Sequence, residues 1–176
     1  LCDGGVILAE TGAILEYLNA TYGKGLLEPQ VGTAEWVQHL YWKQFSEGSL
    51  MPYLAMKLVF EGIIRGSPFI LRPIIKTLFK VVNTQYLNPN IQRELDFIEV
   101  TLGKNKWLVG DGFSLADVFM GFMLEAVAGR MAQVESYPYI NKYVANLRLR
   151  PAYQRAAQRG NWSATEHAHY WSFLSG

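Results

Sequence analysis

The chain holds a single cysteine, Cys2, in 176 residues. No internal disulfide can form, and such usage fits a reducing compartment. Charge is sparse and balanced: 18% of residues are Asp, Glu, Lys or Arg, with a net charge of +1. That field is too weak to recruit a polyanion, which excludes nucleic acid as the expected partner. The one basic cluster, Arg148, Arg150, Arg155 and Arg159, reads as a solvated helix face. No apolar run reaches the ~18 residues that a membrane span requires. The greasiest stretch, residues 50–82, is interrupted by Lys57, Glu61, Arg65, Arg72, Lys76 and Lys80. No leader pattern opens the chain, which starts on a strand-like stretch and a turn. The sequons Asn19-Ala20-Thr21 and Asn161-Trp162-Ser163 are then accidental, and a cytoplasmic protein is expected. The three histidines, His39, His167 and His169, lack the carboxylate or thiol company of a metal site, so no metal is expected. No nucleophile elbow announces a Ser-His-Asp triad.

Half the residues are hydrophobic and 14% are aromatic, enough for a large core. Asp3-Gly4-Gly5 predicts a turn between Leu1-Cys2 and a short strand, Val6-Ile7-Leu8. Such a hairpin is marginal alone and reads as the edge of a larger sheet. From Ala13 the spacing of Ile14, Leu15, Leu18 and Tyr22 predicts a helix ended by Gly23 and Gly25. After a linker, the remaining pattern is helical. A long helix is expected from a Thr33 N-cap to about Ile64, kinked near Gly48 and Pro52. A second runs from about Pro68 to Tyr86. A third is announced by Asn88 as cap and Pro89 as first helical residue, with Ile91, Leu95, Ile98 and Leu102 buried. In "GDGFSLADVFMGFML", Ser114 and Asp117 form a capping box, and Phe113 and Val118 a hydrophobic staple. The apolar surround from Val118 to Leu124 places that helix at the bundle centre. Tyr137-Pro138 and Pro151 open two more helices, the last ending at Gly160.

The order and two local signatures resemble the glutathione transferase family. "LAETGAILEYL…YG" is similar to the end of its thioredoxin-like domain, where a Glu-Ser or Gln-Ser pair precedes the third helix. "WLVGDGFSLADVFMGF" resembles its C-terminal-domain signature, and "RPAYQRA" its closing helix. The greasy insert between Gly66 and Tyr86 resembles a microbial branch with an enlarged helical domain. The fold implied is mainly α: the family's C-terminal helical bundle preceded by the β-β-α end of a thioredoxin-like domain. Residues 1–24 are the expected remnant of that domain, 25–32 a linker, 33–160 the all-helical domain and 161–176 a tail. The resemblance also implies a chain lacking its N-terminal segment. That segment would supply the catalytic Tyr, Ser or Cys.

On the residues alone, Glu10-Thr11 has two readings. On one, Thr11 caps the helix and Glu10 favours its dipole; on the other, the helix N-terminus, the hydroxyl and the carboxylate together suit a zwitterionic amino-acid head group. The resemblance implies the second, with Glu10 and Thr11 holding the γ-glutamyl end of glutathione, Thr11 standing where the family usually has Ser. Tyr41, Phe45 and Ser49, at i, i+4 spacing on the first long helix, are the candidates for an electrophile pocket; core packing is the competing account of that stripe. Trp36, Trp42 and Trp107 are assigned to packing, Cys2 to a small buried side chain, and Ser114 and Asp117 to a structural role. The implied reaction joins the glutathione thiolate to a hydrophobic electrophile in a homodimer when full length, with glutathione as co-substrate and no other cofactor. A non-catalytic interaction module of the same fold is the alternative.

Overall fold

The computed structural model describes residues 1–128 and 136–160. The tail 161–176, with His167, His169 and the second sequon, lies outside the described residues. Strands β1 (Cys2–Asp3) and β2 (Val6–Ile7) pair antiparallel, Cys2 opposite Ile7 and Asp3 opposite Val6. Gly4 turns the chain with φ +56°, a conformation open to glycine without steric cost. Helix α1 (Thr11–Thr21) follows. The Tyr17 and Tyr22 hydroxyls both donate to the Asp3 carboxylate, which ties hairpin to helix. Cys2 is exposed, correcting the expectation of a buried side chain: among the described residues its strand pairs only with β2, in a two-stranded sheet.

Helix α2 (Ala34–Phe45) starts as expected, the Thr33 hydroxyl accepting from the Trp36 amide at 3.2 Å. It runs through a π-helical turn, Ser46–Leu50, into α3 (Met51–Gly66). The second helical run repeats the device, with α4 (Arg72–Val82), a π turn at Asn83–Leu87 and α5 (Asn88–Leu102). In both, the residue before the proline donates to the carbonyl five residues back: Met51 to Ser46 and Asn88 to Asn83. A proline inside an α-helix clashes with the carbonyl four residues back. The wider turn relieves that clash, so Pro52 and Pro89 sit within continuous helices. This corrects the Asn88-Pro89 expectation. Asn88 caps nothing, and the helix passes straight through it because Leu87 and Ile91, on either side, are both in the core.

Helix α6 (Leu115–Val127) is the central helix, with nearly every residue buried. It packs on α1, α2, the first π turn and α7 (Pro138–Arg148); α8 (Pro151–Arg159) closes against α7. Gly121 permits the α6–α7 approach, since a Cβ there would meet Leu147 Cδ2 at 2.6 Å. The predicted stripe Ile91, Leu95, Ile98 and Leu102 is buried as expected. Trp42 and Trp107 are core residues, the Trp107 ring lying edge-on to Phe113 and Tyr143.

Candidate functional site

Helix α1 begins two residues before the expected Ala13, with Thr11 as its first residue and Glu10 at the N-cap. Thr11 is therefore not the cap. Glu10 makes no side-chain cap hydrogen bond, and the first intrahelical bond runs from the Ile14 amide to its carbonyl at 3.0 Å. The amides of Thr11, Gly12 and Ala13 precede the intrahelical ladder and carry the partial positive end of the helix. Both side chains are exposed. Glu10 is held at φ 65°, ψ 121°, where L-residues rarely sit; such strain costs on the order of 1–3 kcal/mol and clusters at functional sites. Exposed anion donors, a hydroxyl and a carboxylate thus meet at one strained corner.

Three groups of contacts hold α1 in place. The Gly12 backbone lies close to the Phe119 ring of α6, which a Cβ would touch at 3.5 Å. On the next turn, Lys43 of α2 donates to Glu16 at 2.9 Å and lies 3.6 Å from Glu28, while the fully buried His39 stands 3.7 Å from Glu28. At the helix end, Asn19 is buried; its carbonyl accepts from Gly25 and its Oδ1 from Leu27 at 3.2 Å. The Leu27 carbonyl in turn accepts from Leu115, the first residue of α6, at 2.9 Å. The linker is hence stitched on both sides. Sequence reading missed this network, although Lys43 and His39 at i, i+4 spacing mark one face of α2.

Tyr41 and Phe45 lie on the side of α2 that meets α5. They pack on Phe97 of α5, with ring centroids 6.1 and 5.8 Å away, and on Trp42. Lys43, two residues from each and so about 200° round the helix, is the residue that faces α1. Phe45 is core, Tyr41 is 46% exposed, and Ser49 is half-buried within the first π turn. Packing between α2 and α5 accounts for the Tyr41–Phe45 stripe.

The capping box is present at Ser114 and Asp117. Asp117 is fully buried and accepts four hydrogen bonds: from the Ser114 amide (2.9 Å), the Ser114 hydroxyl (3.2 Å), the Leu108 amide (3.0 Å) and the Tyr143 hydroxyl (3.2 Å). Burial pushes its carboxyl up and these donors pull it back. The carboxylate holds helix start, loop and α7 together, a structural role. An apolar cavity of about 460 Å³ opens between α6 and α8, lined among others by Leu27, Phe113, Val118, Phe122 and Tyr153. On its wall the buried Glu125 accepts from Arg148 at 2.7 Å and Tyr153 at 2.5 Å.

Residues 68–151 match the family model of the glutathione S-transferase C-terminal domain. Glutathione S-transferase 3 of Schizosaccharomyces pombe is 29% identical over 157 residues, covering 89% of this chain and 65% of that protein. The chain is similar to glutathione S-transferases over most of its length. Glutathione S-transferase 1 of Saccharomyces cerevisiae is 26% identical over 158 residues, covering 87% of this chain and 67% of its own length; the chain thus spans about two thirds of these relatives. Among solved structures, the theta class transferase of Xanthomonas axonopodis pv. citri with glutathione bound is 26% identical, with a TM-score of 0.66 over 87% of this chain and 68% of that one. A glutathione S-transferase from Actinobacillus pleuropneumoniae, 22% identical, shares the fold at a TM-score of 0.76 over 97% of this chain and 73% of its own. The family's fold is therefore present from the β-β-α start through the helical bundle.

Proposed function

We propose that Glu10 and Thr11 hold the γ-glutamyl end of glutathione. The whole protein then joins the glutathione sulfur to a hydrophobic electrophile as a cytoplasmic homodimer. One observation carries the reading: the exposed, strained Glu10 at the α1 N-cap, whose side chain leaves the helix amides to an external acceptor. A γ-glutamyl carboxylate suits the amides and the Thr11 hydroxyl, and its ammonium suits Glu10. In the reaction the thiol loses its proton, the thiolate sulfur forms a C–S bond, and the electrophile's leaving group departs. Residues 1–24 act as the end of the glutathione-binding domain and 33–160 as the helical domain. No residue of this chain is assigned to lowering the thiol's pKa. Tyr41, Phe45 and Ser49 are not carried into the proposal, since the Tyr41–Phe45 stripe faces α5 and not α1.

Calorimetric titration of the chain with glutathione tests this. Glu10→Gln and Thr11→Val each remove a charge-assisted hydrogen bond of about 1.5–3 kcal/mol, a loss of roughly 10- to 150-fold in affinity. Binding untouched by both substitutions contradicts the assignment. A chain that binds no glutathione favours the interaction-module alternative.

A further inference from the structure

The connection between the two long helices carries surface that neither the fold nor the proposed site uses. Between Gly66 and Val82 six large apolar side chains stand in solvent: Phe69 is 78% exposed, Ile70 70%, Ile74 62% and Leu78 64%, with Leu71 and Val81 about half exposed. Helix α4 buries no residue fully. Its inner side, Ile75, Phe79 and Val82, is half-buried against the bundle, Phe79 stacking on Phe60 at 5.0 Å between ring centroids. At about 100° per residue, Ile74, Leu78 and Val81 form a second stripe beside this inner one, and Arg72, Lys76 and Lys80 lie on the far side. An apolar stripe of this extent marks an interaction surface.

Charge selects the occupant. From Gly62 to Arg93 the chain has no Asp or Glu and carries Arg65, Arg72, Lys76, Lys80 and Arg93. Arg65 pairs with Glu61 and Arg93 with Glu94. The Arg72 guanidinium bonds the Ser67 and Arg65 carbonyls, which leaves its charge uncompensated. None of Arg72, Lys76 and Lys80 forms an ion pair among the described residues. A second copy seated on the stripe about a two-fold axis would bring two basic segments close together with no carboxylate in either to answer them. Apolar side chains at a helix entry, an apolar stripe and an acid-free basic face are what an anionic lipid surface receives.

We propose that the α3–α4 connection and helix α4 dock on an anionic membrane surface. Phe69, Ile70, Ile74 and Leu78 enter the headgroup boundary, and Arg72, Lys76 and Lys80 supply the long-range attraction to phosphate and carboxylate groups. The helix lies on the bilayer and does not cross it, in keeping with the absence, among the described residues, of any helix long and apolar enough to span.

Flotation of the 176-residue chain with vesicles tests the proposal. The chain is expected to float with vesicles of phosphatidylcholine mixed with phosphatidylserine, to float poorly with phosphatidylcholine alone, and to be released by high salt. Each cation neutralised by Lys76→Gln or Lys80→Gln lowers partitioning about fivefold. The Ile74→Ser/Leu78→Ser double variant abolishes flotation while its circular dichroism and Tm stay those of the parent, because both side chains are solvent-exposed. A parent that does not float with the mixed vesicles overturns the proposal, as does a double variant that floats like the parent. If sedimentation shows the double variant splitting a dimer of a parent that ignores vesicles, the face belongs to a second copy and the membrane is rejected.

Discussion

Removing the Asp117 carboxylate should unfasten the helical domain more than any other single side-chain truncation at its helix starts. Asp117→Ala strands four donors: the Leu108 and Ser114 amides and the Ser114 and Tyr143 hydroxyls. The hydroxyls can recover. Tyr143 also donates to the Asp117 carbonyl at 3.2 Å, which the substitution leaves, and the Ser114 hydroxyl rotates freely. The two amides cannot, because Leu108 and Ser114 are buried. At about 1–3 kcal/mol for each stranded buried donor, the loss is about 2–6 kcal/mol. Release of a buried carboxyl, whose charge burial disfavours, trims that toward about 2–4 kcal/mol. Ser114→Ala loses only the cap hydroxyl, about 0.5–2 kcal/mol. For a chain of this size, 3 kcal/mol lowers Tm by about 6–12 °C. The assay is urea and thermal unfolding followed by circular dichroism, with the urea m-value checked for constancy. An Asp117→Ala stability within about 0.5 kcal/mol of the parent, or a larger loss in Ser114→Ala, refutes the reasoning.

Burial, then the nearby Lys43 charge, lowers the pKa of His39 against the opposing pull of Glu28 and Glu16. A folded-state value below the unfolded one means that stability is held above about pH 6.5 and is lost as pH falls through that value toward the folded pKa, with a slope of up to about 1.4 kcal/mol per pH unit. His39→Phe should flatten that limb of the stability–pH curve, and an unchanged slope speaks against it. Gly23→Ala brings a Cβ within 2.9 Å of the Asn19 carbonyl and 3.0 Å of its Oδ1, a clash with backbone that should cost about 1–3 kcal/mol. Asn19→Ala should cost a similar amount and speed hydrogen exchange at the Leu27 amide. Glu125→Ala cuts the shared anchor of Arg148 and Tyr153. With Arg148 half exposed and able to rehydrate, about 1–3 kcal/mol is expected, together with faster amide exchange along α8; unaltered exchange there would count against the anchor.

What the sequence disclosed follows the range of the forces involved. The Ser114–Asp117 box is an i, i+3 relation and was readable, whereas the Leu108 and Tyr143 donors to the same carboxylate come from 9 and 26 residues away and were not. The π turn before Pro52 falls where the sequence predicts an irregularity in the helix, whereas the same geometry at Pro89 carries the local signal of a helix start, because Asn-Pro is also a good cap. Burial of Leu87 and Ile91 across that point, a matter of packing, decides between them. Periodicity revealed that Tyr41 and Phe45 share a face of α2. It carried no information on which neighbour that face meets, and the neighbour is α5. Glu10 and Thr11 were legible as a helix start, while the positive φ of Glu10, which no local propensity favours, was not. The His39–Lys43–Glu16–Glu28 network joins three separate segments, and only tertiary structure assembles it.

Nuclear magnetic resonance tests glutathione binding at the start of α1 most directly. In a glutathione titration of the isotope-labelled chain, the amides of Thr11, Gly12 and Ala13 should show the largest shifts, saturating together, and Thr11→Val should weaken the response. A chain whose spectrum ignores glutathione, or responds only at residues remote from α1, would contradict the account.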